Sequence, residues 1–114
     1  MSTFVVVMTA FSGISFLAYG ISCLVSIAMH AEFERFGLAR YRALVGWLEF
    51  LCGSSQLLSW LFAPLGLLGS GGLFLLMAMG VIIRWRIGDR LWVTLPAIAY
   101  LVMNAYLFMA FLKP

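Results

Sequence analysis

Residues 65–83 read Leu65-Gly66-Leu67-Leu68-Gly69-Ser70-Gly71-Gly72-Leu73-Phe74-Leu75-Leu76-Met77-Ala78-Met79-Gly80-Val81-Ile82-Ile83, without one Asp, Glu, Lys or Arg. A hydrocarbon core about 30 Å thick takes roughly 20 apolar residues of α-helix to cross. This segment therefore spans only if it is helical from its first turns, where Gly69, Gly71 and Gly72 stand. If those glycines formed a loop, the apolar remainder would be too short. Read as helix, the segment has three companions, at about residues 4–29, 43–62 and 91–112. The expectation is an all-α polytopic membrane protein, residues 1–114 making one domain. Its four transmembrane helices, at about 4–29, 43–62, 65–83 and 91–112, form an antiparallel bundle.

Composition agrees. Of the 114 residues 65% are hydrophobic and 10% charged, with a mean hydropathy of +1.11. Soluble domains are roughly 45–50% apolar and about 25% charged, which excludes a water-soluble monomer. The four stretches leave a loop of about a dozen residues, a tight turn, a short basic loop and two stubs. That is no room for a soluble catalytic domain, and enzymatic activity is not expected. Nor does the first stretch read as a cleaved signal. Met1-Ser2-Thr3 carries no side-chain charge, and the apolar run reaches Met29, well beyond the ~7–15 residues of a signal core.

The charges set an expected orientation. Arg35, Arg40 and Arg42 follow the first stretch and Arg84, Arg86 and Arg90 follow the third, whereas the opposite side has only Lys113. Lys and Arg concentrate in short cytoplasmic loops. Both termini and the Ala63-Pro64 turn are therefore expected outside, and the membrane is read as a bacterial inner (plasma) membrane. The net charge of +3 is then a topology signal that also attracts anionic lipid headgroups, and nucleic acid is not an expected partner.

Helix ends carry suitable residues. Pro64 with Gly66 suits a tight hairpin, Gly88 a left-handed helix end, and Asp89 a cap on the next helix, while Pro96 falls inside the last stretch. Tyr41, Trp47, Trp85 and Trp92 near the inner boundary, and Trp60 and Phe62 near the outer one, read as interfacial anchors.

The polar residues within the stretches are the candidate site. Ser12, Ser15, Tyr19, Ser22 and Ser26 recur at spacings of three and four, one stripe on the first helix. Together with Gly66, Gly69, Ser70, Gly72 and Gly80 on the third, they read chiefly as packing surfaces. Glu49 lies about 9 Å into the core at ~1.5 Å per residue from Ala43. A lone carboxylate there must be protonated, paired with a cation or turned to a polar cavity. Cys52 and Gln56 share its face, and Arg42 precedes it by seven. Ser22 and Cys23 lie near its level. Gln56 and Asn104 each lie about 20 Å from the inner end of their helices, so the two amides are expected at one depth and hydrogen-bonded. For Glu49, a structural hydrogen bond, a ligand or partner site, and proton transfer all stay open. The ligand or partner set is Glu49, Cys52, Gln56, Asn104, Tyr19 and Ser22. Cys23 and Cys52 lack zinc or redox-motif spacing, His30 is the single histidine, and no metal site is expected.

The motifs Phe33-Glu34-Arg35-Phe36-Gly37-Leu38, Gly46-Trp47-Leu48-Glu49 and Gly88-Asp89 resemble the DoxX-like family of small four-helix membrane proteins, over about residues 20–111. Leu48-Glu49 with Cys52-Gly53, and Gly88-Asp89, are more distantly similar to the nicotinic-receptor assembly chaperone of the endoplasmic reticulum. The resemblance implies three kinds of role: association with a terminal quinol oxidase, thiosulfate oxidation or redox stress, and client contacts. Some members carry a lysine near the inner end of the first helix. Ile21-Ser22-Cys23-Leu24 has none, so Glu49 lacks that partner.

Two functions are expected from different classes. The first is a non-enzymatic accessory subunit or assembly chaperone acting through intramembrane helix contacts with other membrane proteins or with further copies of itself. It needs no cofactor. The alternative is a redox-linked component binding a quinone near Glu49, Gln56 and Asn104.

Overall fold

The first apolar stretch folds as two helices, where the sequence suggested one over residues 4–29. In the computed structural model, which describes residues 3–112, α1 spans Thr3–Val25 and α2 spans Ile27–Arg35. Ser26 between them is extended (φ −81°, ψ 132°), and its hydroxyl accepts the Met29 N–H at 3.4 Å. This caps α2. Composition explains the break, because α2 contains His30, Glu32, Glu34 and Arg35 whereas α1 has no charge. Ending α1 leaves its last carbonyls without amide partners, and the Arg42 guanidinium donates to the carbonyls of Cys23 and Leu24.

Gly37, at φ +75°, ends α2, and the 3₁₀ turn Ala39–Tyr41 leads into α3, Arg42–Leu58. The helix stops short of the expected residue 62. Ser59 turns its hydroxyl back onto the Gln56 carbonyl (2.6 Å), and the Leu61 and Phe62 amides both return to Leu58. Such side-chain bonding competes with helix continuation. Pro64 opens α4, Pro64–Arg86, in the first turn, where a missing N–H costs nothing. α4 runs unbroken through Gly69, Gly71 and Gly72 and beyond Ile83, so Arg84 and Arg86 belong to the helix and not to the loop where the sequence suggested them. Gly88 (φ +81°) takes the expected left-handed conformation, and α5, Leu91–Leu112, contains Pro96.

Among the described residues three helices are long and apolar enough to cross a membrane: α1, α4 and the Thr94–Leu112 part of α5. The chain is therefore an all-helical membrane protein. Four helices form a closed antiparallel ring in the order α1, α3, α4, α5. Two glycine pairs make the α1–α3 seam. A Cβ on Gly20 would stand 2.7 Å from the Gly46 carbonyl, and one on Gly53 2.8 Å from the Gly13 carbonyl. Seven residues separate the two glycines on each helix, so the backbones touch at both ends of a two-turn segment. On the far side Gly66 receives the Phe111 ring, bringing α5 against α4. The ends of α2 and α4, with their arginines, lie at one end of the ring, where Arg35 binds Asp89. Lys113, expected at the opposite end, lies outside the described residues.

Candidate functional site

Halfway along the ring a polar network ties all four helices together. Gln56 on α3 donates its amide to Asn104 Oδ1 on α5 (2.6 Å) and to Ser70 Oγ on α4 (2.9 Å). Ser12 on α1 donates to the same Asn104 oxygen (3.2 Å), and Asn104 Nδ2 donates to the Tyr100 carbonyl (2.9 Å). One turn nearer the arginine end the Tyr100 hydroxyl donates to Ser15 Oγ (3.0 Å). Gln56, Asn104, Ser12 and Ser70 are all fully buried. The helix periods put them there: Gly46, Glu49, Gln56 and Gly53 form the single buried stripe of α3.

The pairing of the two amides has a measurable size. Interhelical bonds in lipid average about 0.6 kcal/mol and reach about 1.7. The Gln56 carbonyl oxygen is itself buried without a partner, so Gln56→Leu also removes a desolvated acceptor and its net cost stays modest. A double-mutant cycle of Gln56→Leu with Asn104→Leu should give a coupling in that range, measured by thermal unfolding in detergent. Strict additivity would show that the amides do not support one another.

Toward the arginine end lies a chamber. Glu49, 7% exposed, faces a cavity of about 150 Å³ on one side and one of about 100 Å³ on the other, with Met29, Met77 and Arg84 lining both. In the larger cavity Phe16, Tyr19 and Tyr100 supply an aromatic wall, Tyr100 lying edge-on to Phe16 (5.0 Å between centroids) and to Tyr19 (5.8 Å). Among the described residues the Glu49 carboxyl receives only a long thiol contact from Cys23, 3.9 Å to Oε2. Arg84 spends one donor on its own Gly80 carbonyl at 3.4 Å, and its Nε is buried without a partner. A carboxyl, a guanidinium and three rings thus line one small space. Such a set suits a compact guest with oxygen atoms and a flat apolar body.

The expected site therefore divides. Glu49 and Tyr19 face the chamber, whereas Gln56 and Asn104 are bonded to each other within the network. Cys52 packs its sulfur against Gly72, where a Cβ would come within 2.6 Å, and Ser22 offers its carbonyl to Ser26 at the α1–α2 break. Arg42, on the Glu49 stripe by sequence, is engaged by the α1 carbonyls instead. Arg40 stacks on Tyr41 and donates to its hydroxyl (2.7 Å), while Arg86 and Arg90 are exposed. The Asp89 side chain, suggested as a cap on α5, is bonded to Arg35. Arg35 grips both its oxygens, at 2.6 and 3.1 Å, and holds Glu32 as well, at 2.8 and 3.3 Å. Those bonds from Arg35 hold the Asp89 carboxyl below the usual carboxylate range, and Asp89 foremost, then Glu32, keeps Arg35 more firmly protonated.

Arg84, which the sequence suggested as a residue of the basic loop, lines the chamber instead. The signal was its spacing of four after Gly80, continuing the helix past Ile83. Ser12, Ser70 and Tyr100 in the network were read as packing or not singled out. No three His, Cys, Asp or Glu side chains gather as a metal would require, among the described residues. Searches against protein-family models, curated proteins and solved structures gave no match.

Proposed function

We propose that the chain is a four-span protein of a bacterial inner (plasma) membrane with both termini outside, acting non-enzymatically as an accessory subunit or assembly chaperone that receives a partner's transmembrane helix. The observation that carries this reading is an apolar groove of about 440 Å³ between α4 and α5, lined by Gly71, Phe74, Leu75, Ala105, Phe108 and Met109. Both helices are apolar spans, so the groove opens toward lipid, and a glycine in its wall lets a partner's backbone approach closely. The other small-residue surfaces are spent inside the bundle, with Ser12 and Ser15 bonded to α5 and the α1 and α3 glycines in mutual contact. The motifs resembling the DoxX-like family accord with this role.

Photo-reactive side chains at Leu75 and Met109 should crosslink in intact cells to one discrete partner protein, and one at Ile14, exposed on α1, should not. Equal adducts at all three positions, or none, would overturn the reading.

The fourth span is α3. Its 17 residues cover about 26 Å, and its exposed Leu44, Trp47, Leu51 and Leu58 continue into Trp60, Leu61 and Phe62. Six of seven basic residues at one end support the orientation. Single cysteines at the Ser2 and Lys113 positions should react with an impermeant reagent only from outside, and reaction solely from the cytoplasmic side would reverse the topology.

A second reading is favoured by the chamber: a redox-linked component binding a quinone headgroup beside Glu49 and Arg84, with Gln56 and Asn104 supporting the bundle instead of touching the guest. A quinone that co-purifies in mild detergent and is lost in Glu49→Gln would establish it over the first. A protein bound stoichiometrically, with no quinone, would exclude it.

A further inference from the structure

We infer that α2 is a latched strap across the inner end of the Glu49 chamber, hinged at Ser26 and Gly37 and held closed by the Arg35–Asp89 ion pair. As regulation of the chamber this rests on the second reading above, while the opening itself is testable without any guest. The strap forms a wall. Met29, Phe33 and Phe36 line the smaller cavity against Val45 of α3 and Ile83 of α4, and Phe33 is buried there.

At its two ends the backbone leaves helical geometry. Ser26 interrupts the helix ladder in extended backbone, and Gly37 adopts φ +75°, a conformation open to glycine at no steric cost. The chain upstream is fixed independently, because Arg42 anchors the α1 carbonyls at Cys23 and Leu24. Downstream, α3 is fixed by its seam with α1. Besides the buried Phe33, what holds the strap is at its last residue. Arg35 reaches out of α2 to the turn between α4 and α5 and binds both Asp89 oxygens, the one ion pair joining α2 to another part of the chain among the described residues. Glu32, one turn earlier, keeps the guanidinium aimed. Behind it Arg84, the chamber's own cation, lies 5.1 Å from the Phe36 ring centroid, so strap and chamber share a contact.

An ion pair with a half-exposed arginine is weak and salt-sensitive, which is what a latch requires. Its loss shifts opening severalfold and leaves the bundle intact.

The test uses the full chain in detergent, where membrane orientation plays no part. Cys23→Ala and Cys52→Ala remove the native thiols, and Met77→Cys places a single one on the wall common to both cavities. A charged, membrane-impermeant thiol reagent reads the opening. Arg35→Gln and Asp89→Asn should each speed labelling roughly fivefold, the two together no further, and 1 M salt should speed the parent but neither variant. Exchanging the partners, with Arg35→Asp and Asp89→Arg, should restore slow labelling. A thiol placed at Ser12 in the buried network reports general loosening and should stay unreactive throughout. Unchanged rates at Met77→Cys in the single variants, or the same acceleration at the Ser12 thiol, would overturn the strap.

Discussion

Replacing Gly20 by leucine should leave no folded, monodisperse protein after detergent extraction. Even the first carbon of the new side chain would stand 2.7 Å from the Gly46 carbonyl oxygen and 2.8 Å from the Phe50 amide nitrogen. Both neighbours are backbone, so neither can swing aside as a side-chain tip would. Overpacking a close-packed site by a few methylenes costs about 1–3 kcal/mol when side chains can adjust. Here α1 must move off α3, and the separation would also strain the Gly13–Gly53 contact two turns away. The expected loss therefore exceeds about 3 kcal/mol, a large fraction of the ~5–15 kcal/mol that holds a domain together. Gly46→Leu should behave alike, because its Cβ meets Cys23 Cβ at 2.9 Å and the Gly20 carbonyl at 3.0 Å. Gly71→Ala is the control: its new methyl meets only the Phe108 ring, at 3.3 Å, and the melting temperature should fall by a few degrees at most. Similar melting of the Gly20→Leu and Gly71→Ala proteins would show that the α1–α3 seam is not built on backbone contact.

That seam marks where sequence reasoning reached its limit. The seven-residue separation of Gly13 from Gly20, and of Gly46 from Gly53, is visible in the sequence, but which glycine meets which depends on an antiparallel register that only packing decides. The amides were more legible. Gln56 and Asn104 stand at equal depth from their helix ends, so a rise per residue was enough to bring them together, as their 2.6 Å bond shows. Arg84 was misread because a cluster with Arg86 and Arg90 looks like a loop, whereas three further residues of helix turn its side chain back into the bundle. The Ser26 break was hidden for another reason. Ile27-Ala28-Met29 is as apolar as what precedes it, and only the charges from His30 onward, with Arg42 ready to take the freed carbonyls, make stopping the helix favourable.

Glu49→Lys is expected to be the most damaging single change within the chamber, and Glu49→Gln among the mildest. The side chain is 7% exposed and faces inward, so a lysine there has no lipid route along which to extend its stem to the headgroups. Its ammonium would share the chamber with Arg84, which lines both cavities beside Glu49, and the described neighbours offer no other carboxyl. A cation at such depth costs about 3 kcal/mol on insertion scales even without a like charge beside it. Glutamine keeps the shape and one acceptor oxygen for the Cys23 thiol contact, so its melting temperature should lie within a few degrees of the parent. Thermal unfolding by size-exclusion retention would separate the two variants. The cause is separable as well. If like-charge repulsion inside the chamber is responsible, adding Arg84→Leu to Glu49→Lys should recover a good part of the lost stability, although Arg84→Leu alone gains nothing. A lysine variant as stable as the parent would place residue 49 against water or lipid. A lysine variant that is unstable yet unrelieved by Arg84→Leu would mean that desolvation of the ammonium alone, and not its neighbour, sets the cost.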